Sequence, residues 1–165
     1  MADPLTIRDA CPEDAEACAA IYAPHVTGSW VSFELEAPDK AEMARRIADY
    51  GTSHAWLVAE RDGEVLGYAY GSPHRTRAAY ASSCDVAIYV SAAAARSGIG
   101  RALYGELLAR LKAKGFHAAF AGIAQPNPAS VALHEACGFT PVGVYREVGW
   151  KMGAWRDVGW WQRVL

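Results

Sequence analysis

Several features that would direct a reading at once are missing from this chain. No run approaches the roughly 20 apolar residues that a membrane-spanning helix requires, so no membrane partner is expected. The start, Met1-Ala2-Asp3-Pro4, has no basic segment followed by an apolar one, and no secretory signal is read from it. The four cysteines, Cys11, Cys18, Cys84 and Cys137, show no CxxC spacing. They read as free or buried thiols of a reducing compartment, and the expected location is cytoplasmic. Excess basic charge is absent too, with 16 Lys+Arg against 18 Asp+Glu and a net charge of −2. Neutralising phosphates drives nucleic-acid affinity, so no nucleic-acid partner is expected. The histidines have no metal-ligand spacing, and no metal is expected. Without repeats, low-complexity tracts or linkers, the 165 residues, 52% of them hydrophobic, read as one mixed α/β domain spanning 1–165.

What is present is a series of short elements. Thr6-Ile7-Arg8 reads as a strand. A helix follows, with Pro12 in its first turn, Ala15, Cys18, Ile21 and Tyr22 at helical spacing, and Pro24 as its end. The segment from His25 to Pro38 reads as a long loop. Asp39 caps a second helix, with Glu42 as its capping-box partner, Met43, Ile47 and Tyr50 as its buried stripe and Gly51 as its stop. Ala55–Glu60 and Val65–Tyr70 form a hairpin around an Asp-Gly turn. Asp85–Val90 is a strand, and Ser97 to Lys114 a helix with Ile99, Leu103, Leu107 and Leu111 every fourth residue and Gly115 past its end. Ala118–Ile123 (strand), Pro128–Cys137 (helix capped by Gly138) and Thr140–Val148 (strand) complete the series, with a last strand at Gln162–Leu165.

The stretch Ala95-Arg96-Ser97-Gly98-Ile99-Gly100-Arg101 joins a strand to the strongest helix. Two glycines let the backbone approach a ligand, and the first amides of a helix have no internal partners, so a phosphate or pyrophosphate fits there. Arg96 and Arg101 add charge. The turn is not a P-loop, lacking Gly-Lys-Ser/Thr, nor a dinucleotide fingerprint, lacking the third glycine. A plain strand-to-helix turn is the competing reading. Downstream, Asn127-Pro128-Ala129-Ser130-Val131-Ala132-Leu133-His134-Glu135-Ala136-Cys137-Gly138-Phe139 is an N-capped helix ending in a Gly-aromatic pair.

Together these stretches resemble the GNAT superfamily of N-acetyltransferases, which pairs a Gln/Arg-x-x-Gly-x-Gly/Ala turn with a later Asn…Ala…Gly-Phe helix. Here Ala95 stands at the usual Gln/Arg position, with Arg96 beside it. Cys84–Val90, Leu133-His134-Glu135-Ala136 and the tail from Gly149 to Arg163 are similar to the phosphinothricin acetyltransferase group, over essentially the whole chain. The resemblance implies a GNAT-type α/β (α+β) fold, with a mixed, mostly antiparallel sheet flanked by helices. It also implies acetyl-CoA as cosubstrate, a homodimer, and acceptors such as phosphinothricin, methionine sulfoximine and methionine sulfone. Such small amino-acid analogues are acetylated on the α-amino group, a detoxifying reaction.

The implied roles follow residue by residue. Asp85 stands where the family usually has a glutamate and is the expected base, acting through a bridging water because its side chain is one methylene shorter; otherwise it caps a strand end or pairs with an arginine. His134 is the expected proton donor to the leaving thiolate, or else a satisfied histidine on a helix face. Backbone N–H groups of Ile88-Tyr89-Val90 are expected to polarise the thioester carbonyl. Arg96, Ser97, Gly98, Ile99, Gly100, Arg101, Asn127 and Ser130 are the further coenzyme contacts, although Asn127 also suits a simple N-cap. Arg75, Thr76 and Arg77 are expected to bind an anionic acceptor through planar guanidinium donors, with Phe33 and Glu34 in the same pocket. Cys84 leaves a covalent thioester route open beside direct transfer. Another acceptor amine (a peptide N-terminus or an aminoglycoside) and a non-catalytic acyl-CoA-binding module remain as alternatives.

Overall fold

The computed structural model describes all residues, 1–165. Seven strands form one sheet in the order β1-β2-β3-β4-β5-β7-β6, antiparallel throughout except between β4 and β5. The strands are β1 (Thr6–Asp9), β2 (Trp56–Arg61), β3 (Glu64–Pro73), β4 (Ser83–Val90), β5 (Ala118–Ala124), β6 (Thr140–Lys151) and β7 (Ala154–Val164). The helices are α1 (Ala15–Thr27), α2 (Lys40–Ser53), α3 (Ile99–Ala113) and α4 (Pro128–Ala136). The mixed sheet with flanking helices agrees with the implied fold.

Alternation along the strands builds two cores, one on each face. Leu57, Ala69, Cys84 and Val86 face α3, whose Ile99, Leu103, Leu107 and Leu111 are all buried. Trp56, Val58 and Tyr68 face the other way, against Cys18, Tyr22 and Val26 of α1 and Met43 and Ile47 of α2. The four-residue spacing in α3 thus marked its buried stripe correctly. Both α3 and α4 end in a glycine at positive φ, Gly115 (+96°) and Gly138 (+87°). In each, the next amide reaches back five residues, from Phe116 to Leu111 and from Phe139 to His134, closing the last turn.

Three boundaries differ from the sequence expectation. Pro24 does not end α1; it lies inside the last turn, where its missing N–H costs one bond while Val26 stays packed in the core. Gly51 does not stop α2, which runs to Ser53 and closes where the His54 amide meets the Tyr50 carbonyl. Asp39 does cap α2 through the Glu42 amide, but the Glu42 carboxylate turns to Arg45 and Arg46 instead of back to the cap. The third difference is largest. The tail forms a long hairpin, with β6 reaching Lys151 and β7 beginning at Ala154. Met152 and Gly153 both have positive φ, the geometry of a tight hairpin turn. Glycines and charges interrupt the alternation here, which hid the end of β6 past Val148 and all of β7 before Gln162.

That hairpin is fastened to the loop after α1. Lys151 is buried, and its ammonium donates to the carbonyls of Val26 (2.7 Å), Ser32 (2.6 Å) and Glu34 (2.8 Å). All three N–H groups are satisfied, although burial still pushes the ammonium pKa down. Replacing it leaves three carbonyls without a donor. We expect Lys151→Met to lower the unfolding free energy by about 3 kcal/mol, measured from urea denaturation midpoints.

Candidate active site

The site begins where β4 and β5 part. Their parallel pairing covers only Ser83–Asp85 against Ala118–Phe120, yet β4 continues to Val90. The Ser91 amide bonds to Leu66 on β3, so alternation turns the N–H groups of Tyr89 and Ala87 toward β3 and those of Val90 and Ile88, past the last β4–β5 pair, into the opening. Sequence reasoning grouped Ile88, Tyr89 and Val90 as donors. The geometry keeps Ile88 and Val90 and commits the Tyr89 amide to the sheet; the Tyr89 ring still lines the cleft.

A groove of about 490 Å³ runs from this opening, lined by Ile88, Tyr89, Val90, Arg96, Ser97, Gly98, Ile99, Gly100, Arg101, Asn127 and Ser130. Every residue expected to contact the coenzyme therefore shares one surface. The amides of Arg96 through Arg101 meet no backbone or side-chain acceptor, six consecutive donors at the positive end of α3. The two glycines serve different ends. Gly98 is the helix cap at φ +83°, a left-handed conformation costly for a side-chain-bearing residue, and Arg96 shares it at +60°. Gly100 instead permits close packing, since a Cβ there would sit 3.0 Å from Leu133 of α4. Asn127 does cap α4, accepting from the Ser130 amide at 3.2 Å.

A small cavity of about 60 Å³ continues inward between Val86–Tyr89 and Ala121–Ala124. Beyond it lies a pocket of about 690 Å³ whose lining includes Tyr22, Val31, Phe33, Glu34, Asp85 and Trp160. Val31, Val86, Ala87 and Gly122 border both cavities, and Val31 borders the groove as well, so the three form one path through the cleft. Phe33 and Glu34 thus line the same pocket as Asp85. The Glu34 carboxylate is already engaged, by both guanidinium nitrogens of Arg46 and by the Tyr22 hydroxyl, which holds its pKa down.

Asp85 points into this pocket from the face opposite Cys84. Burial raises its carboxyl above the usual range, while a hydrogen bond with His74 Nδ1 at 2.5 Å pulls it back. Cys84 lies in the α3 core with no exposure; burial pushes its thiol up to about 12, so it holds no thiolate for a covalent route.

Two expectations are corrected. The loop residues Arg75, Thr76 and Arg77 do not line the Asp85 pocket. Arg75 borders a separate cavity of about 350 Å³, which shares Tyr145 and Trp160 with the pocket, while Thr76 and Arg77 are exposed. His134, expected to present an acidic nitrogen to the thiolate, has both nitrogens occupied. Nδ1 faces the Ser130 carbonyl at 2.7 Å, so it carries the hydrogen, and Nε2 accepts from Tyr104 at 2.7 Å. Burial lowers its pKa further. His134 and Asp85 line different cavities of the path.

Two residues that line these cavities escaped the sequence reading, His74 and Tyr145. The only available signal for His74 was the hairpin register, Ser72 opposite Asp85 and Pro73 opposite Cys84, which requires a structure. The tryptophan-rich tail divides by strand alternation: Trp160 walls the pocket, Trp161 is core at 8% exposure, and Trp150 and Trp155 are exposed.

Comparison with known proteins bears on this arrangement. A family model described as acetyltransferase (GNAT) family matches residues 25–139. The phosphinothricin N-acetyltransferase of Alcaligenes faecalis is 41% identical over 164 residues, covering 97% of this chain and 82% of that protein. The L-methionine sulfoximine/L-methionine sulfone acetyltransferase of Salmonella typhimurium is 31% identical over 166 residues, covering 98% and 95%. A crystal structure of a GNAT superfamily phosphinothricin acetyltransferase from Sinorhizobium meliloti, in complex with AcCoA, superposes with a TM-score of 0.93 at 38% identity, covering 98% of this chain and 88% of that one.

The large pocket depends on one contact of the tail. A Cβ on Gly149 would lie 2.3 Å from the Phe33 ring, which must then move. Gly149→Ala is expected to weaken small-molecule occupancy of the Asp85 pocket about tenfold, ~1.4 kcal/mol, without changing affinity for a ligand in the α3 groove. Calorimetric titration of both ligands checks this.

Proposed function

The chain belongs to the GNAT acetyltransferase family, and from that premise we propose that it acetylates the α-amino group of a small amino-acid analogue of the phosphinothricin, methionine sulfoximine and methionine sulfone type. It is an acetyl-CoA-dependent N-acetyltransferase; the acceptor and the part played by each residue are our reading.

The observation that carries the reading is the continuous path from the amide-lined groove to a pocket holding Asp85. The six unpaired amides of Arg96–Arg101, with the Arg96 and Arg101 side chains, offer the donors and positive charge that a diphosphate needs. Acetyl-CoA supplies an activated acetyl thioester. The Ile88 and Val90 amides face the cleft, where the edge of β4 is free to hold an extended amide-bearing arm and to stabilise charge developing on a carbonyl oxygen. Asn127 and Ser130 border the same arm.

Asp85 takes the proton from the acceptor's ammonium, through a bridging water where the shorter side chain falls short. A free α-amino group with a pKa near 8 is mostly protonated at neutral pH, so this step sets the amount of nucleophile. Burial moves the Asp85 carboxyl toward the working pH and makes it a stronger base than an exposed aspartate. Transfer is direct, since Cys84 is sealed in the other core. His134, neutral and doubly bonded, holds α4 against Tyr104 and shapes the small cavity; a thiolate, with a thiol pKa near 8.5, leaves without a strong acid.

Arg75 is our choice for the acceptor's anionic groups. Its guanidinium bonds only to the His74 carbonyl, and it lies 6.0 Å from the Trp160 ring that separates it from the Asp85 pocket. A rotation of this exposed side chain brings a cation to the rim of a pocket whose lining otherwise holds none.

Thiol release from acetyl-CoA tests the assignment. Methionine sulfone and phosphinothricin should be acetylated, and an aminoglycoside or a peptide much more slowly; a preference for either of these overturns the acceptor class, and no release with any amine favours a binding module. Asp85→Asn should lower kcat by 10²- to 10⁴-fold, the usual contribution of a general base. By contrast, Cys84→Ala should leave kcat within about twofold of the parent, because the thiol touches only the core; a large loss restores the covalent route.

A further inference from the structure

The established chemistry requires a base, and the base here is a side chain one methylene shorter than the glutamate the family resemblance implies. What stands behind it is unexpected. His74 follows Pro73, the last ladder residue of β3, and its Nδ1 lies 2.5 Å from Asp85 Oδ1. The ring is not a loose surface group. It stacks on Phe120 of β5 (centroids 4.3 Å apart, planes 17° apart), meets Tyr80 and Trp160 edge-on at 6.0 and 6.1 Å, and its side chain is only 12% exposed. Aromatic contacts on three sides fix its rotamer. Asp85 Oδ2 has no protein hydrogen bond, and Asp85 lines the acceptor pocket, whereas His74 lines the side cavity with Arg75. One oxygen is tied back and the other left for the acceptor.

We propose that His74 is a positioning residue for acetyl transfer: its Nδ1–H holds Oδ1 of Asp85, so that Oδ2 is ionised and turned toward the acceptor amine. The proposal rests on the N-acetyltransferase reading of the site. In the step it serves, an ammonium N–H bond breaks, an O–H bond forms at Oδ2 directly or through one water, and the nitrogen keeps the electron pair that attacks the acyl carbon. The proton returns to solvent when the product leaves, and His74 is unchanged. Taking a carboxylate out of water favours its neutral form, and a fixed donor at hydrogen-bond distance opposes this. Without the donor the carboxyl rises further, and the base is lost at the low end of the working pH range.

The charged and titratable groups around the pair are few. Arg75, next in the loop, also favours the ionised carboxylate. Tyr80 of the same loop and Tyr145 of β6 approach the ring side, and the buried Cys84 thiol adjoins Asp85 in the chain. No second carboxylate lines either cavity at this point except the Arg46-bound Glu34.

The test compares two substitutions. His74→Phe keeps the stack on Phe120 and removes the donor; His74→Asn places an amide N–H near the position of Nδ1. With the acceptor that gives most thiol release, His74→Phe should lower kcat about 10- to 100-fold, the low end of a general-base contribution. It should also move the acid limb of the kcat–pH profile to higher pH, with the KM for acetyl-CoA within twofold. His74→Asn should recover most of the loss. An unchanged kcat and acid limb in His74→Phe overturns the proposal, as does a His74→Asn protein that folds, binds acetyl-CoA and is no better than His74→Phe. Ring ¹⁵N–¹H spectra of the parent and of Asp85→Asn need no acceptor and cover a His74→Phe protein that fails to fold. A shift of the His74 nitrogens between the two supports the pairing, and unmoved signals overturn it whatever the acceptor proves to be. Absence of turnover with every amine, beside a clear shift, would refute the acetyltransfer reading and leave the pairing standing.

Discussion

The parting of two parallel strands is the constraint on which the site depends. β4 and β5 are joined over three residue pairs and then diverge, and a sheet that separates leaves alternate peptide groups of each strand without partners. Buried peptide groups left unpaired are costly, so such an opening is stable only where water or a ligand reaches it. The free Ile88 and Val90 amides and the path through to Asp85 follow from that divergence, and the unpaired amides of Arg96–Arg101 at the start of α3 line the same opening. The chain enters the helix after β4 through two residues at positive φ, Arg96 (+60°) and the cap Gly98 (+83°).

Alternation along β4 then distributes chemistry between the two faces. Cys84 and Val86 enter the α3 core, whereas Asp85 and Tyr89 face the side of α1, where the large pocket lies. A one-residue shift of register would exchange them, sealing the carboxylate among leucines and presenting a thiol to the large pocket. Neighbours in the chain thus have opposite surroundings: the thiol is buried and raised to about 12, the carboxylate is raised by burial but hydrogen-bonded to His74 at the pocket wall.

The pocket is closed by the other end of the chain. The β6–β7 hairpin presses Gly149 against Phe33, while Lys151 binds three carbonyls spanning the end of α1 and the following loop. A single ammonium suits this task because its three donors can point in different directions, and a loop with no ladder of its own has carbonyls to spare. Tyr22, Glu34 and Arg46 lock the same loop from the helix side. The large pocket therefore forms only when residues more than a hundred positions apart have met.

Much was legible in the sequence because it depends on local periodicity and local backbone needs. The four-residue spacing from Ile99 to Leu111, the Asp-Gly hairpin, the caps at Asp39 and Asn127 and the Gly98 turn are each determined within one or two turns of chain, and with them much of the lining of the α3 groove, though not His25 or Val31. The end of β6 and most of β7 were hidden because glycines and charges break the period-two pattern that reveals a strand. Arg75, Thr76 and Arg77 looked like one anion clamp, but only the packing around Trp160 decides on which side of the pocket wall the first of them stands. His74 looked like any loop histidine until β3 and β4 paired and set its ring against Asp85 and Phe120. Local order could be read from the residues alone; which side chains share a cavity, and which nitrogen faces which oxygen, depended on strand register and long-range packing, which no short stretch of chain contains.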